Sequence, residues 1–185
     1  MPLQTWQSTL NVPGGAANLP AAIAYNTATA LTDVSAGAAT NGALIVPANY
    51  LDIGSTIRLT AAGFFSNTAT PTLLLGFYYG GVAGTALAAI GATTTTVSAT
   101  SWPFRMEYTG TVQVRGSSGK IMGSGYVMLA TSLTAYTLIP LPATAIAQVT
   151  IDTTTAKTVT VGAAWGTNNA ANTLTVTSFT VESMA

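Results

Sequence analysis

The chain contains no cysteine and no histidine, and only ten of its 185 residues carry charge. Without cysteine there are no disulfides and no thiolate metal sites, which fits synthesis in a reducing cytoplasm. Without histidine, neither a Ser-His-Asp triad nor a zinc site of the Cys/His type can be assembled. Five basic residues balance five acidic ones. No Lys/Arg run exists to neutralise phosphates, so nucleic acid is not an expected partner. The longest mostly apolar run, LLLGFYYGGVAG (73–84), is too short for a bilayer helix and is interrupted by glycine. The first ten residues lack a basic segment followed by an apolar one, so no secretory signal is read there.

The remaining chemistry is thin. The acids are Asp33, Asp52, Glu107, Asp152 and Glu182, too dispersed to form a calcium loop. A carboxylate pair for glycoside hydrolysis would have to be made by folding. GSSGK (116–120) has two residues between its glycines where a phosphate loop has four, and Ile121 stands where Ser or Thr would bind magnesium. Ser117 or Ser118 with Lys120 reads as a solvated turn. No catalytic, cofactor or metal residue is assigned, and the chain is expected not to be an enzyme.

What is abundant is apolar and small-polar: 49% hydrophobic residues and 34 threonines. The charged fraction, 5%, is far below the usual quarter. Either neutral polar groups keep the surface wet, or other subunits cover part of it, since charge is depleted at interface cores. Disorder does not fit so many Val, Ile, Leu and aromatic residues.

From Ile45 onward the pattern is β. STIRLTAA (55–62) alternates. TLLLGFYY (72–79) is continuously apolar and reads as a strand buried on both faces. In SWPFRMEYTGTVQVRG (101–116), Phe104, Met106, Tyr108, Val112 and Val114 take one parity and are expected in the core. Arg105, Glu107, Thr109, Thr111, Gln113 and Arg115 take the other. Arg105 and Glu107 then share a side and can pair, with Arg115 further along. That face is either a solvated surface or a set of intersubunit polar contacts. GSSGK turns the chain back into IMGSGYVMLA (121–130), giving a hairpin. LTAYTLIP (133–140) is a strand stopped by Pro140 and Pro142, followed by AIAQVTID (145–152), KTVTVGAAW (157–165) and TLTVTSFTVE (173–182). In the last, Leu174 and Val176 share one parity and Phe179 and Val181 the other, which predicts a bulge near Thr177–Ser178.

About eight strands with no convincing helix predict a single all-β antiparallel sandwich over 47–185, jelly-roll-like, with a plain Greek-key sandwich as the alternative. Residues 1–46 read as an extended N-terminal arm in which 21–34 is either a marginal helix or an extended strip. Tyr78, Tyr79, Trp102 and Trp165 could stack on sugars, although aromatics in a sandwich are more often core.

Four segments carry a family resemblance: LQTWQSTL at the start, VPANYLDIGSTIRLTAAGFFSNTATPTLLLGFYYGG (46–81), SWPFRMEYTGTVQVRGSSGKIMGSGYVML (101–129) and IDTTTAKTVTVGAAWGTNNAANTLTVTSFTVES (151–183). Together they resemble small β-sandwich virion proteins of tailed bacteriophages, head decoration (cement) or minor tail proteins. The likeness covers most of the chain and rests on the run of segments, not on a catalytic motif. It implies a trimeric virion component on the outer surface of a phage head, assembled in the host cytoplasm. Its partners would be copies of itself and the major capsid protein, with no membrane. The resemblance carries over no functional residues; on the residues alone, the arm with Leu3, Trp6 and Leu10 is a candidate capsid contact, and Arg105, Glu107 and Arg115 remain candidate intersubunit contacts beside the solvated-face reading. A tail or fibre module binding a host-surface glycan is the alternative.

Overall fold

The computed structural model describes residues 6–10, 23–24, 30–35 and 44–184. These form two antiparallel sheets and, among the described residues, no helix. The fourteen strands are β1 (Trp6–Leu10), β2 (Ile23–Ala24), β3 (Thr32–Asp33), β4 (Leu44–Val46), β5 (Thr56–Ser66), β6 (Thr72–Tyr79), β7 (Thr85–Ala89), β8 (Thr93–Thr94), β9 (Trp102–Val114), β10 (Gly119–Ser132), β11 (Ala135–Leu141), β12 (Val149–Ile151), β13 (Lys157–Trp165) and β14 (Thr173–Met184). The first sheet runs β1-β14-β5-β9-β10-β11, with β12 also on β10 and β2 on β14. The second runs β3-β13-β6-β7, with β4 on β13 and β8 on β6.

The expected all-β sandwich is the observed fold. Its closure is long-range: β5 pairs with β14 in one sheet, and β6 pairs with β13 in the other. This nested pairing is jelly-roll-like, whereas β9-β10-β11 is a plain meander. Alternation explains the layers. Leu59, Ala61 and Phe65 of β5, Met106 and Tyr108 of β9, and Val127 and Leu129 of β10 point inward. They meet Leu73, Leu75 and Phe77 of β6 and Val159, Val161, Ala163 and Trp165 of β13. Each buried valine, leucine, phenylalanine or methionine among them stabilises the fold by about 1.5–3 kcal/mol relative to exposure. Two aromatic pairs bridge the layers: Phe77 stacks with Phe179 at 6.0 Å, and Phe65 lies tilted against Trp165 at 6.3 Å.

The bulge expected in the last strand is present, as a register shift between Val176 and Ser178 against β5. It lets Leu174 and Phe179 both face the core despite opposite parity. Other expectations need correction. Val114 is 44% exposed, because the β9–β10 register shifts between Lys120 and Ile121, which pairs Val112 with buried Ile121 and Val114 with Lys120. Pro140 lies inside β11 and does not stop it; an edge strand tolerates a residue without an N–H. The strand read over 145–152 shrinks to β12. Strand β7, TALAA, has no sequence signature, because alanine is a poor strand former and only pairing with β6 extends it.

Within residues 1–46 the described segments belong to the sheets. β1 and β2 pair with β14, and β3 and β4 pair with β13. Val34, Leu44 and Val46 are buried. Of the 21–34 segment, 23–24 and 32–33 are strands; Leu3 lies outside the described residues.

Two local devices hold the loops and the sheet together. Buried Asn67 donates Nδ2–H to Thr95 Oγ1 (2.6 Å) and to the Thr96 carbonyl (2.8 Å), and its Oδ1 accepts the Ala99 N–H (2.6 Å). Buried Asn172 accepts the Thr68 N–H and donates to the Thr167 carbonyl, tying a third loop to the same end. The second device is a glycine slot. Gly110 and Gly123 are cross-strand partners, and a Cβ on either would lie 2.6 Å from the Tyr108 hydroxyl. The ring therefore occupies the space that side chains on β9 and β10 would need.

Gly123→Ala should destabilise the fold by about 1–3 kcal/mol, read as a lowered Tm by calorimetry. Gly91→Ala, where a Cβ meets nothing within 4 Å, should change stability by less than about 0.5 kcal/mol. Equal effects from the two would contradict the slot.

Candidate functional site

The outward face of the first sheet carries a cluster of charged side chains. Glu107 on β9 sits at its centre. Arg58 on β5 reaches it diagonally, with Nη2 at 2.9 Å and Nε at 3.0 Å from Oε1. Tyr126, directly across on β10, donates its hydroxyl to Oε2 at 3.2 Å. Glu182 on β14 is the register partner of Arg58. A polar row thus crosses four strands, Glu182, Arg58, Glu107 and Tyr126. Threonines fill the positions around it, and Thr56 and Thr111 hydrogen-bond hydroxyl to hydroxyl at 3.0 Å.

Arg105 and Glu107 do share this face, as their parity requires, but Glu107 is paired with Arg58 instead. Arg105 is exposed and makes no ion pair among the described residues. The physical reason is register: β5 brings Arg58 into the diagonal cross-strand position, where long side chains meet readily. Arg115 is not part of the row. It follows β9 and lies 3.7 Å from Asp52 Oδ2, with Asn49 Oδ1 at 3.4 Å. Trp6 and Leu10 are the first and last residues of β1, on the opposite edge of this sheet from β11.

Beyond β10 the same sheet becomes apolar. Its edge strand β11 is exposed on both faces from Ala135 to Leu138. Tyr136 is 51%, Leu138 65% and the turn residue Leu133 75% exposed. No charged residue occurs anywhere from 121 to 151. Natural edge strands are commonly guarded by charge against pairing with other chains, and this one carries none. Sequence reasoning placed a strand here but missed its exposure. The charge-free run was the available signal.

The other sequence-derived candidates resolve into structure. Trp165, Tyr78 and Tyr79 are buried, and Trp102 packs against the core, so no aromatic platform forms from the four. Burial holds the Tyr108 and Tyr79 phenols up at about 12, the Asp152 charge adding to the effect at Tyr79. Ser117 and Ser118 are exposed in the β9–β10 turn, and Lys120 donates to Thr150 instead. Asp152 accepts from the Thr154 and Thr155 hydroxyls and from the Thr154 N–H. These bonds, with Lys157 nearby, lower its pKa to about 2. The group organises the turn between β12 and β13. An open apolar cleft of about 250 Å³ lies between β7 and the 142–149 segment, lined by alanines, Leu87, Pro142, Thr144 and Val149. Among the described residues, no group of three or more His, Cys, Asp or Glu side chains could hold a metal ion. Among the described residues, no helix is long and apolar enough to cross a membrane.

Comparison with protein-family models, with curated proteins and with solved structures finds no match.

The polar row predicts an asymmetry between neighbours. Glu107→Gln should cost about 1 kcal/mol, a Tm loss of roughly 2–4 °C for a chain this size. Arg105→Ala should leave Tm within about 1 °C of the parent, as for a surface residue without partners. Thermal melts of the two variants check this, and a larger loss from Arg105→Ala would contradict the assignment.

Proposed function

We propose that this chain is a non-enzymatic structural protein of a tailed-phage virion, a decoration (cement) protein that binds and reinforces the head. The observation that carries the reading is the pairing of a closed β-sandwich with an exposed, charge-free apolar edge. Ten charged residues are spread over 8695 Å² of accessible surface, and none falls within 121–151. Such a surface suits a protein that works against copies of itself and against a shell. Repetition on a lattice adds avidity, so each contact can be weak. The segment resemblance to phage virion proteins points the same way. The glycan-binding reading depended on surface aromatics, and three of the four candidates are buried.

The test is electron microscopy of intact virions of the encoding phage, labelled with a gold-tagged antibody to this chain. Dense, regular gold over the head is the expected result. Gold confined to the tail tip or fibres, or no gold on particles, would overturn the proposal.

A further inference from the structure

We infer that strand β11 is a self-complementary edge, and that two copies of this chain join there by two-fold antiparallel pairing centred on Thr137. The inference rests on reading this edge as an assembly surface, assigns two-fold pairing where the family resemblance implied a trimer, and does not depend on where in a virion the protein sits.

The argument starts from the ladder between β10 and β11. Antiparallel partners alternate between hydrogen-bonded and non-hydrogen-bonded pairs. Pro140 lies opposite Tyr126 and has no N–H to give. That pair is therefore of the non-hydrogen-bonded kind, and so are Leu138 with Met128 and Tyr136 with Ala130, two and four residues away. The N–H and C=O groups of Tyr136 and Leu138 consequently point away from β10, toward the open edge. Among the described residues no strand pairs with that edge.

An antiparallel neighbour matching these groups must place its own outward-facing residues opposite them. A two-fold axis at Thr137 does this with the same sequence. Tyr136 then faces Leu138 of the second copy, and Leu138 faces its Tyr136. Both side chains stand on the outward face of the sheet, in line with Tyr126, Met128 and Pro140. Aromatic and aliphatic side chains in direct cross-strand positions are a favourable combination. Pro140 ends the available donors on one side and the Leu133–Thr134 turn ends the strand on the other, so the register has little room to slip. The absence of charge over 121–151 removes the usual barrier to such pairing and leaves no charge for a charged partner to match. Leu133, 75% exposed in the adjoining turn, extends the apolar contact toward the area a stable interface needs, about 800 Å² per partner.

The test uses the full chain in sedimentation equilibrium. The parent should give a two-chain mass. Leu138→Lys alone and Tyr136→Glu alone should each weaken dimerisation about tenfold or more, with Tm retained because both side chains are exposed. Mixing the two variants should restore the two-chain mass, since Lys then faces Glu at one position and Tyr faces Leu at the other. If a charged variant misfolds, the double variant Tyr136→Ala, Leu138→Ala provides the same readout of lost dimer. A monomeric parent, a three-chain mass, a dimer indifferent to these substitutions, or a mixture that fails to reassociate would overturn the inference. A monomeric parent would leave the virion proposal standing, whereas gold on the tail would leave this contact standing.

Discussion

The rest of the structure depends on the pairing of β5 with β14. More than a hundred residues separate the two strands along the chain, and they share an antiparallel register from Thr56–Met184 to Ser66–Thr173. The equivalent pairing of β6 with β13 follows from it, because β5 leads directly into β6 and β13 directly into β14. Once both pairs form, Phe179 meets Phe77 and Phe65 meets Trp165 between the sheets. The same pairing sets Arg58 between Glu107 and Glu182. With no disulfide to close the chain, backbone ladders and apolar burial must provide the closure.

Scarcity of charge shapes what remains outside. Where the sheet face must stay wet, threonine hydroxyls do the work that Lys and Glu do in most proteins. Where loops must be fixed, buried Asn67 and Asn172 supply neutral hydrogen bonds to backbone. Such groups avoid the desolvation cost of buried ions. The few charges are grouped: Arg58 with Glu107, Arg115 with Asp52, and Lys157 with Asp152. The edge at β11 has neither charge nor, among the described residues, a covering strand, and it exposes Tyr136 and Leu138.

Much of this fold was legible in the residues, for a simple reason. A strand buried on one face must alternate, and 104–112 does so without interruption. A parity flip within a strand must be absorbed somewhere, and Leu174 and Val176 against Phe179 and Val181 located the bulge. Burial on both faces left its mark as the unbroken apolar run of β6. What was not legible is neighbourhood. Parity says that Arg105 and Glu107 share a face, but it cannot say that β5 will slide Arg58 into the better position. Nor does alternation distinguish the inside of a sandwich from the open edge where Tyr136 and Leu138 stand. Ala-rich β7 and the short pairings of β3 and β4 exist only because a neighbouring strand is already there.

Hydrogen exchange of the full chain, followed by mass spectrometry, tests the closure most directly. If β5 with β14 is the pairing on which the fold depends, peptides covering 173–184 should share the slow exchange of 56–66 and open with it in one cooperative unit. Rapid, independent exchange of 173–184 while 56–66 and 102–114 stay protected would contradict the account.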